Sequence, residues 1–368
     1  MRGYAQQWYL DKGVTWNVKP AMNKIDLHHH MVPDFYAKGA LTANLPAQTA
    51  VEEAGGDPSG WPTPQWSPSS SRMIMKHMGI QSAILSVTAP GACILPSHDA
   101  QAALARQLNE YAAHLRDEDH SRFGFFASLP DITNTTLALE EIAYAFDVLR
   151  ADGVTLFTRY GSNATYLGNP LIEPIWKELD KRAATVFVHP THPVDLATVN
   201  QYMAQPFIDY PHETTRAAVD MITQRTLKKF PNVKVILSHA GGTLPYLAGR
   251  FLTPLKKVNN VVAGYMVGTS YDDGIEAITK GFYYDLALST EHKVLSLLEE
   301  MGVVAERVVY GSDFPYAPPP AHPAFLEELE TFNFSSPEMR NRVNFGNAQQ
   351  LISRLGGDLD VAEEPKDL

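Results

Sequence analysis

The stretch "KIDLHHHMVPDFY" (residues 24–36) places three consecutive histidines at the end of a short run in which apolar and polar residues alternate. Such alternation predicts a β-strand. Because successive side chains of a strand point to opposite faces, we expect Asp26, His28 and His30 on one face and His29 on the other. Two imidazoles are therefore predicted to point at the same spot.

Seven further β-rich runs follow this one, and segments with helical periodicity separate most of them. The eight predicted strands span residues 24–30, 82–90, 123–130, 153–158, 185–190, 234–241, 282–288 and 307–315. Eightfold alternation of strand and helix is typical of an α/β protein with a (β/α)8 TIM barrel. A doubly wound open sheet is disfavoured, because it more often has a Gly-rich turn after its first strand and none is present.

The connection after the first strand is the longest. It covers residues 31–81 and contains "GGDPSGWPTPQWSPSSS", which is too long for a plain turn and too aromatic for a typical flexible linker. We predict that this insertion folds over the barrel mouth as a lid. The remaining boundaries are a single barrel domain over residues 24–355, an N-terminal extension over residues 1–23 and an acidic tail over residues 356–368.

Composition excludes several classes of function. The chain has 368 residues, of which 45% are hydrophobic and 19% charged, as in an ordinary globular enzyme. Its 30 basic and 41 acidic residues give a net charge of −11 without a long basic cluster, so no nucleic-acid partner is expected. Cys93 is the only cysteine and no apolar run is long enough to span a membrane, so we expect a cytoplasmic protein without a membrane partner.

Side chains that bind metals stand at the ends of four predicted strands. His28 and His30 end the first strand, His189 the fifth, His239 the sixth and Asp313 the eighth. Catalytic groups of a TIM barrel lie at these C-terminal strand ends. Three imidazoles and a carboxylate suit zinc or another divalent transition metal. Any one of these residues alone is explained by hydrogen bonding or turn formation, but their coincidence favours a metal site.

Four motifs in this order carry a family resemblance: "IDLHHH", "VFVHP", "ILSHAGG" and "VVYGSDFP". They resemble the amidohydrolase-2 group, and within it the non-oxidative decarboxylases related to aminocarboxymuconate semialdehyde decarboxylase. "HHHMVPDFY" and "GGDPSGWPTP" are most similar to segments of fungal 6-methylsalicylate decarboxylases. The resemblance implies a homodimeric carboxy-lyase that acts on an ortho-hydroxy aromatic acid and converts 6-methylsalicylate to 3-methylphenol and CO2.

The resemblance also implies roles for individual residues. One divalent metal per chain, zinc or manganese, is expected on His28, His30, His189 and Asp313. Asp313 is the expected proton donor and His239 its hydrogen-bonding or acid–base partner. Arg250 matches an arginine that reaches the substrate carboxylate, in some members from the neighbouring subunit. We further expect Trp61 and Phe314, near the barrel mouth, to hold the aromatic ring.

One residue departs from the family pattern. Thr191, in "HPTHP", stands where the semialdehyde decarboxylases have a bulky aromatic residue, which predicts a differently shaped pocket floor.

A mononuclear metal-dependent hydrolase of a lactone or amide also fits the ligand set. A binuclear hydrolase does not, because such enzymes use a lysine at the end of strand four, where "GVTLFTRYG" has Arg159 and no lysine. A non-catalytic binding protein is disfavoured, since no ligand position has been lost.

Overall fold

Eight parallel strands form the centre of the computed structural model, which describes residues 15–37, 57–161, 165–318 and 320–355. Each strand pairs with the next one along the chain. The strands are β1 Lys24–His30, β2 Ile80–Ser86, β3 Phe123–Ala127, β4 Gly153–Phe157, β5 Thr185–His189, β6 Lys234–Leu237, β7 Phe282–Asp285 and β8 Val308–Val309. All eight predicted strands are confirmed.

The first and last strands meet and close the sheet into a barrel. The backbone N–H of Leu27 donates to Tyr310 O at 3.0 Å, and that of His30 donates to Phe314 O at 2.7 Å. These bonds continue beyond β8, so the chain after Val309 still runs beside β1 although it no longer forms a regular ladder. The predicted (β/α)8 barrel is therefore confirmed.

Helices surround the barrel. In the described residues they are α1 Asp34–Ala37, α2 Pro68–Met78, α3 His98–Glu118, α4 Thr135–Ala143, α5 Glu173–Lys181, α6 Gln205–Thr223, α7 Thr226–Lys229, α8 Leu244–Leu252, α9 Asn260–Val267, α10 Tyr271–Glu276, α11 His292–Glu300, α12 Ala321–Thr331, α13 Pro337–Asn341 and α14 Asn347–Leu351. π-Helical turns continue α4, α10 and α13 over Tyr144–Val148, Ala277–Gly281 and Arg342–Gly346. A hairpin of two-residue strands, Arg159–Tyr160 and Thr165–Tyr166, follows β4.

Two apolar cores stabilise this arrangement. One fills the barrel interior with strand side chains such as Ile25, Ile84, Phe126 and Phe187. The other lies between strands and helices, where residues at helical spacing turn inward. In α5, for example, Ile175, Trp176 and Leu179 are buried. Burial of these side chains leaves the carboxyl ends of the strands as the place for polar groups.

The predicted lid region contains more than one kind of structure. Helix α2 begins at a capping box formed by Ser67 and Ser70 and packs beside β2, so it belongs to the outer helical layer. Residues 57–61 lie over the barrel mouth, where Asp57, Ser59 and Trp61 line a cavity. Residues 38–56 and the predicted tail, residues 356–368, lie outside the described residues.

The part of the N-terminal extension that is described packs against the barrel. The Trp16 ring stacks on His77 with centroids 5.4 Å apart, and the Ala21 N–H donates to Glu330 Oε1 at 2.8 Å. The domain boundaries themselves stay a prediction. No helix in the described ranges combines the length and the apolar composition needed to cross a membrane.

Candidate active site

Four of the predicted side chains come together at the carboxyl end of the barrel. One ligand atom from each of His28, His30, His189 and Asp313 lies within 4.8 Å of the others, and all four residues are buried. Nε2 of His28 lies 3.1 Å from Nε2 of His30, and Oδ1 of Asp313 is 3.3 Å from the first and 3.1 Å from the second. The strand alternation read from the sequence accounts for the two β1 imidazoles.

The hydrogen bonds around these imidazoles turn Nε2 of each ring toward the centre of the group. Nδ1 of His189 donates to Pro190 O at 2.7 Å, and Nδ1 of His28 lies 3.0 Å from Asp285 Oδ2. Nδ1 of His30 lies 3.1 Å from the Ser86 hydroxyl. Second partners of this kind orient metal-binding histidines in proteins.

The spacing of the donor atoms fits a single divalent metal. Ligand atoms of a tetrahedral zinc ion are about 3.3 Å apart, close to the separations around Asp313 Oδ1. Two Nε2 lone pairs as close as those of His28 and His30 repel each other unless a positive charge lies between them. The four residues, called the ligand cluster below, therefore suit a divalent cation.

The electrostatics of the ligand cluster agree with this. Burial opposes a charge on His28, but the carboxylates of Asp285 and Asp313 outweigh it and raise the pKa of His28 to about 10. Burial lowers the pKa of His30, and burial together with the nearby imidazoles lowers that of His189 well below its usual value. Burial alone would raise the pKa of Asp313, but the nearby His28, through its charge and a hydrogen bond, holds this pKa well below its usual range. The site thus accommodates one positive charge among neutral imidazoles.

His29 and Asp26 form a separate pair behind the ligand cluster. Nε2 of His29 lies 2.8 Å from the Ser71 hydroxyl, so this imidazole faces away as predicted. The prediction that Asp26 shares a face with His28 and His30 was wrong, because its Oδ2 lies 2.9 Å from His29 Nδ1. The β1–β2 register shifts between Asp26 and His29, and this irregularity interrupts the strict alternation of side chains.

His239 lies beside the ligand cluster without belonging to it. Its ring centroid is 4.8 Å from that of His28, and it forms a second group of potential ligands with His28 and Asp285. Nδ1 of His239 donates to Ala287 O at 2.9 Å, which leaves Nε2 as an acceptor. Asp285, which was not predicted as a site residue, contacts both His28 and the His239 backbone N–H with its carboxylate. Its strand was predicted to extend to residue 288, whereas in the structure it ends at Asp285, so the sequence did not place this carboxylate at a strand end.

A cavity of about 380 Å³ opens above the ligand cluster, a size suited to a small molecule. His189, His239 and Asp313 reach its floor. Its wall is mostly apolar and aromatic, formed among others by Trp61, Phe207, Tyr210, Pro211, Leu288, Val294, Tyr316 and Phe325. The arrangement combines a charged floor with a wall that suits an aromatic ring.

Of the three predicted substrate contacts, Trp61 lines the wall, with its ring centroid 5.4 Å from that of Phe207. Phe314 is not in the wall: the residue after Asp313 points away from the cavity, and its ring packs 5.2 Å from that of His29. Tyr316, which the sequence analysis missed, lines the cavity in its place.

Arg250 is exposed on α8 and does not line the cavity of its own chain. No lysine or arginine of the described residues lines that wall. Thr191 is buried, donates its backbone N–H to Thr158 Oγ1 and is not among the described residues of the wall. The expectation that Thr191 gives the pocket floor a shape different from that of the semialdehyde decarboxylases stays a prediction.

Comparison with known proteins decides the family, since residues 25–354 match the amidohydrolase family. The chain belongs to this family. It is 45% identical to a 6-methylsalicylic acid decarboxylase of Penicillium expansum over 93% of this chain and 100% of that one. It is 44% identical to a 6-methylsalicylic acid decarboxylase of Aspergillus aculeatus, over 90% and 96% of the two chains.

A solved structure agrees in fold with this amidohydrolase. A dihydroxybenzoic acid decarboxylase from Polaromonas, crystallised with manganese and the inhibitor 2-nitroresorcinol, superposes with a TM-score of 0.75. The match covers 93% of this chain and 100% of that one at 19% sequence identity. The likeness at this identity concerns the barrel fold.

Removal of one imidazole tests the ligand cluster. We expect the purified wild type to carry roughly one divalent metal per chain and His189→Ala to lose both the metal and turnover, because the substitution removes one of the four donor groups and thereby lowers the affinity for the ion. Elemental analysis by mass spectrometry measures the content. His212→Ala is the matched control, since His212 is exposed and outside the cluster. An active wild type without metal would contradict the assignment.

Proposed function

We propose that this amidohydrolase is a non-oxidative decarboxylase of ortho-hydroxy aromatic acids and that it converts 6-methylsalicylate to 3-methylphenol and CO2. The observation that carries the proposal is the ligand cluster on the floor of an aromatic-walled cavity. Its relatives support the choice of reaction, since two proteins of 44–45% identity are 6-methylsalicylic acid decarboxylases.

The proposed cofactor is one zinc or manganese ion held by the ligand cluster. When bound, such an ion polarises the substrate oxygens and lowers the pKa of a phenolic hydroxyl. The chain itself supplies the remaining requirements: a wall that orients the ring, and groups on the floor that move protons.

The chemistry requires a proton donor at the ring carbon that carries the carboxylate. Direct loss of CO2 from an aromatic ring leaves an electron pair in the ring plane, where it cannot delocalise. Protonation of that carbon first avoids the problem, because cleavage of the C–C bond then restores aromaticity. An ortho-hydroxyl assists once it is deprotonated, since the phenolate pushes electron density to the same carbon.

Asp313 suits this proton transfer. Asp313 reaches the cavity floor, so its carboxylate can accept the proton of the phenolic hydroxyl, whose pKa the bound ion would lower, and then deliver that proton to the carbon that carries the carboxylate. The C–C bond breaks, its electron pair stays in the ring, and water supplies the proton that converts the product phenolate to the phenol. His239, with Nε2 as an acceptor, orients the hydroxyl before the transfer.

We also propose a cytoplasmic homodimer in which Arg250 of one subunit binds the substrate carboxylate in its partner. Tyr246 and Arg250 are four residues apart and therefore on one face of α8, and both are exposed. Helix α9 adds exposed apolar side chains, among them Tyr265, which is 95% exposed. An exposed apolar surface of this kind favours association. The cytoplasmic location rests on the single cysteine.

A small panel of acids tests the reaction. We expect CO2 release from 6-methylsalicylate and salicylate and none from 3- or 4-hydroxybenzoate, because only the ortho arrangement presents carboxylate and hydroxyl to the same site. The methyl group contributes about 1 kcal/mol in an apolar wall, which predicts a several-fold preference for 6-methylsalicylate. Comparable turnover of 4-hydroxybenzoate would contradict the mechanism, and lactone hydrolysis without decarboxylation would favour the hydrolase.

Asp313→Asn tests the proton transfer. The substitution preserves the shape of the side chain but removes a group that accepts and donates a proton, so we expect kcat to fall about 10²–10⁴-fold and KM to change much less. Metal content is measured in the same preparation, because Asp313 is also a proposed ligand. A fully metallated variant with a kcat near that of the wild type would show that Asp313 is structural.

Subunit mixing tests the shared site. We expect Arg250→Met and His189→Ala chains, each inactive alone, to regain activity when mixed, because a mixed dimer contains one site with both residues intact. Activity is measured after subunit exchange has been verified with differently tagged chains. If exchange occurs without recovery, Arg250 does not act across the dimer.

A further inference from the structure

Asp57 is a cavity carboxylate that the proposed reaction does not use. It comes from the loop between α1 and α2, together with Ser59 and Trp61, and lines the same cavity as Asp313. Among the described residues of the wall, these two are the acidic ones. Asp57 does not belong to the ligand cluster.

Ser59 holds the Asp57 carboxylate in place. The Ser59 backbone N–H donates to Asp57 Oδ1 at 2.9 Å, and the Ser59 side chain adds a second hydrogen bond. Ser59 is itself fixed, because it is 3% exposed and its carbonyl accepts the N–H of Gln205, the first residue of α6, at 3.1 Å. Burial raises the pKa of Asp57, whereas both bonds from Ser59 favour the ionised form.

The surroundings of Asp57 make its charge effective. Its neighbours in the wall include Trp61, Phe207 and Tyr210, and no lysine or arginine of the described wall offsets its charge. An unscreened carboxylate in apolar surroundings acts strongly on other ions. A substrate carboxylate placed beside it is therefore disfavoured, whereas the divalent ion that the ligand cluster would hold attracts such a carboxylate.

We infer that Asp57 is a specificity-determining residue that orients single-carboxylate aromatic acids and excludes acids with a second carboxylate. The cavity of about 380 Å³ is large for a one-ring acid, so reversed placement is prevented by charge rather than by shape. A repulsive element against the wrong ligand is a general source of specificity. The inference rests on the proposed function only for the identity of the productive substrate.

A matched pair of ligands tests this. 4-Methylsalicylate and 2-hydroxyterephthalate differ only in the methyl or carboxylate group opposite the first carboxylate. Their binding is measured by calorimetry on the metallated enzyme at about pH 8, where carboxylates are ionised. We expect the wild type to prefer 4-methylsalicylate and Asp57→Asn to reduce that preference about tenfold or more, because repulsion between like charges is lost. Asp57→Glu, which keeps the charge, should keep the preference.

Steady-state kinetics of the Asp57→Asn variant provide a second test, because a purely structural role of Asp57 would not lower kcat and KM in the same proportion. If Asp57→Asn admits 6-methylsalicylate in the reversed placement, kcat and KM fall together and kcat/KM stays nearly constant. Asp57→Ala serves as a second neutral variant if Asp57→Asn does not fold. An unchanged ligand preference in a folded neutral variant would overturn the inference, as would failure of the wild type to bind either acid. If the preference depends on Asp57 but no acid releases CO2, the proposed function fails and the inference stands.

Discussion

The buried carboxylate of Asp26 is the contact on which the geometry of the site depends. Oδ1 accepts the backbone N–H groups of His28 at 3.1 Å and Ser312 at 3.0 Å, while Oδ2 binds the Ser312 hydroxyl at 2.6 Å and His29 Nδ1 at 2.9 Å. A buried carboxylate without partners costs several kcal/mol of folding free energy, so the stability of the fold requires these hydrogen bonds. They join the first strand to the segment after the last strand, and thereby bring the ligands from the two ends of the chain together.

Asp285 plays a similar part on the other side of the ligand cluster. Its Oδ1 accepts the backbone N–H groups of His239 and Ala287, and its Oδ2 faces His28 Nδ1. His28 is thus fixed between Asp285 and the Asp313 carboxylate. Negative charge on both sides of His28 favours a positive charge at this point of the site, whether on the imidazole or on a bound cation.

The sequence predicts those parts of the structure in which the backbone is regular. Strand ends follow from periodicity and barrel architecture, so the positions of His28, His30 and His189 were predictable. Prediction fails where regularity ends: Asp26 lies at a register shift, and Phe314 follows Asp313, whose φ of +58° turns the chain. Asp57 was not predicted for another reason: in a loop without periodicity only the aromatic character of Trp61 indicated a cavity residue, and nothing in the pattern marked the carboxylate.

Barrel and loop therefore contribute different properties to the site. Histidines and aspartates on strand ends are held by buried hydrogen bonds, so the ligand cluster tolerates little change. The loop that carries Asp57 and Trp61 is fixed to α6 by a backbone hydrogen bond between Ser59 and Gln205, together with packing of Trp61 on Phe207. None of its described side chains belongs to the ligand cluster. Since a loop on a rigid scaffold varies more easily than the strands beneath it, the choice of aromatic acid is separable from the chemistry performed on it.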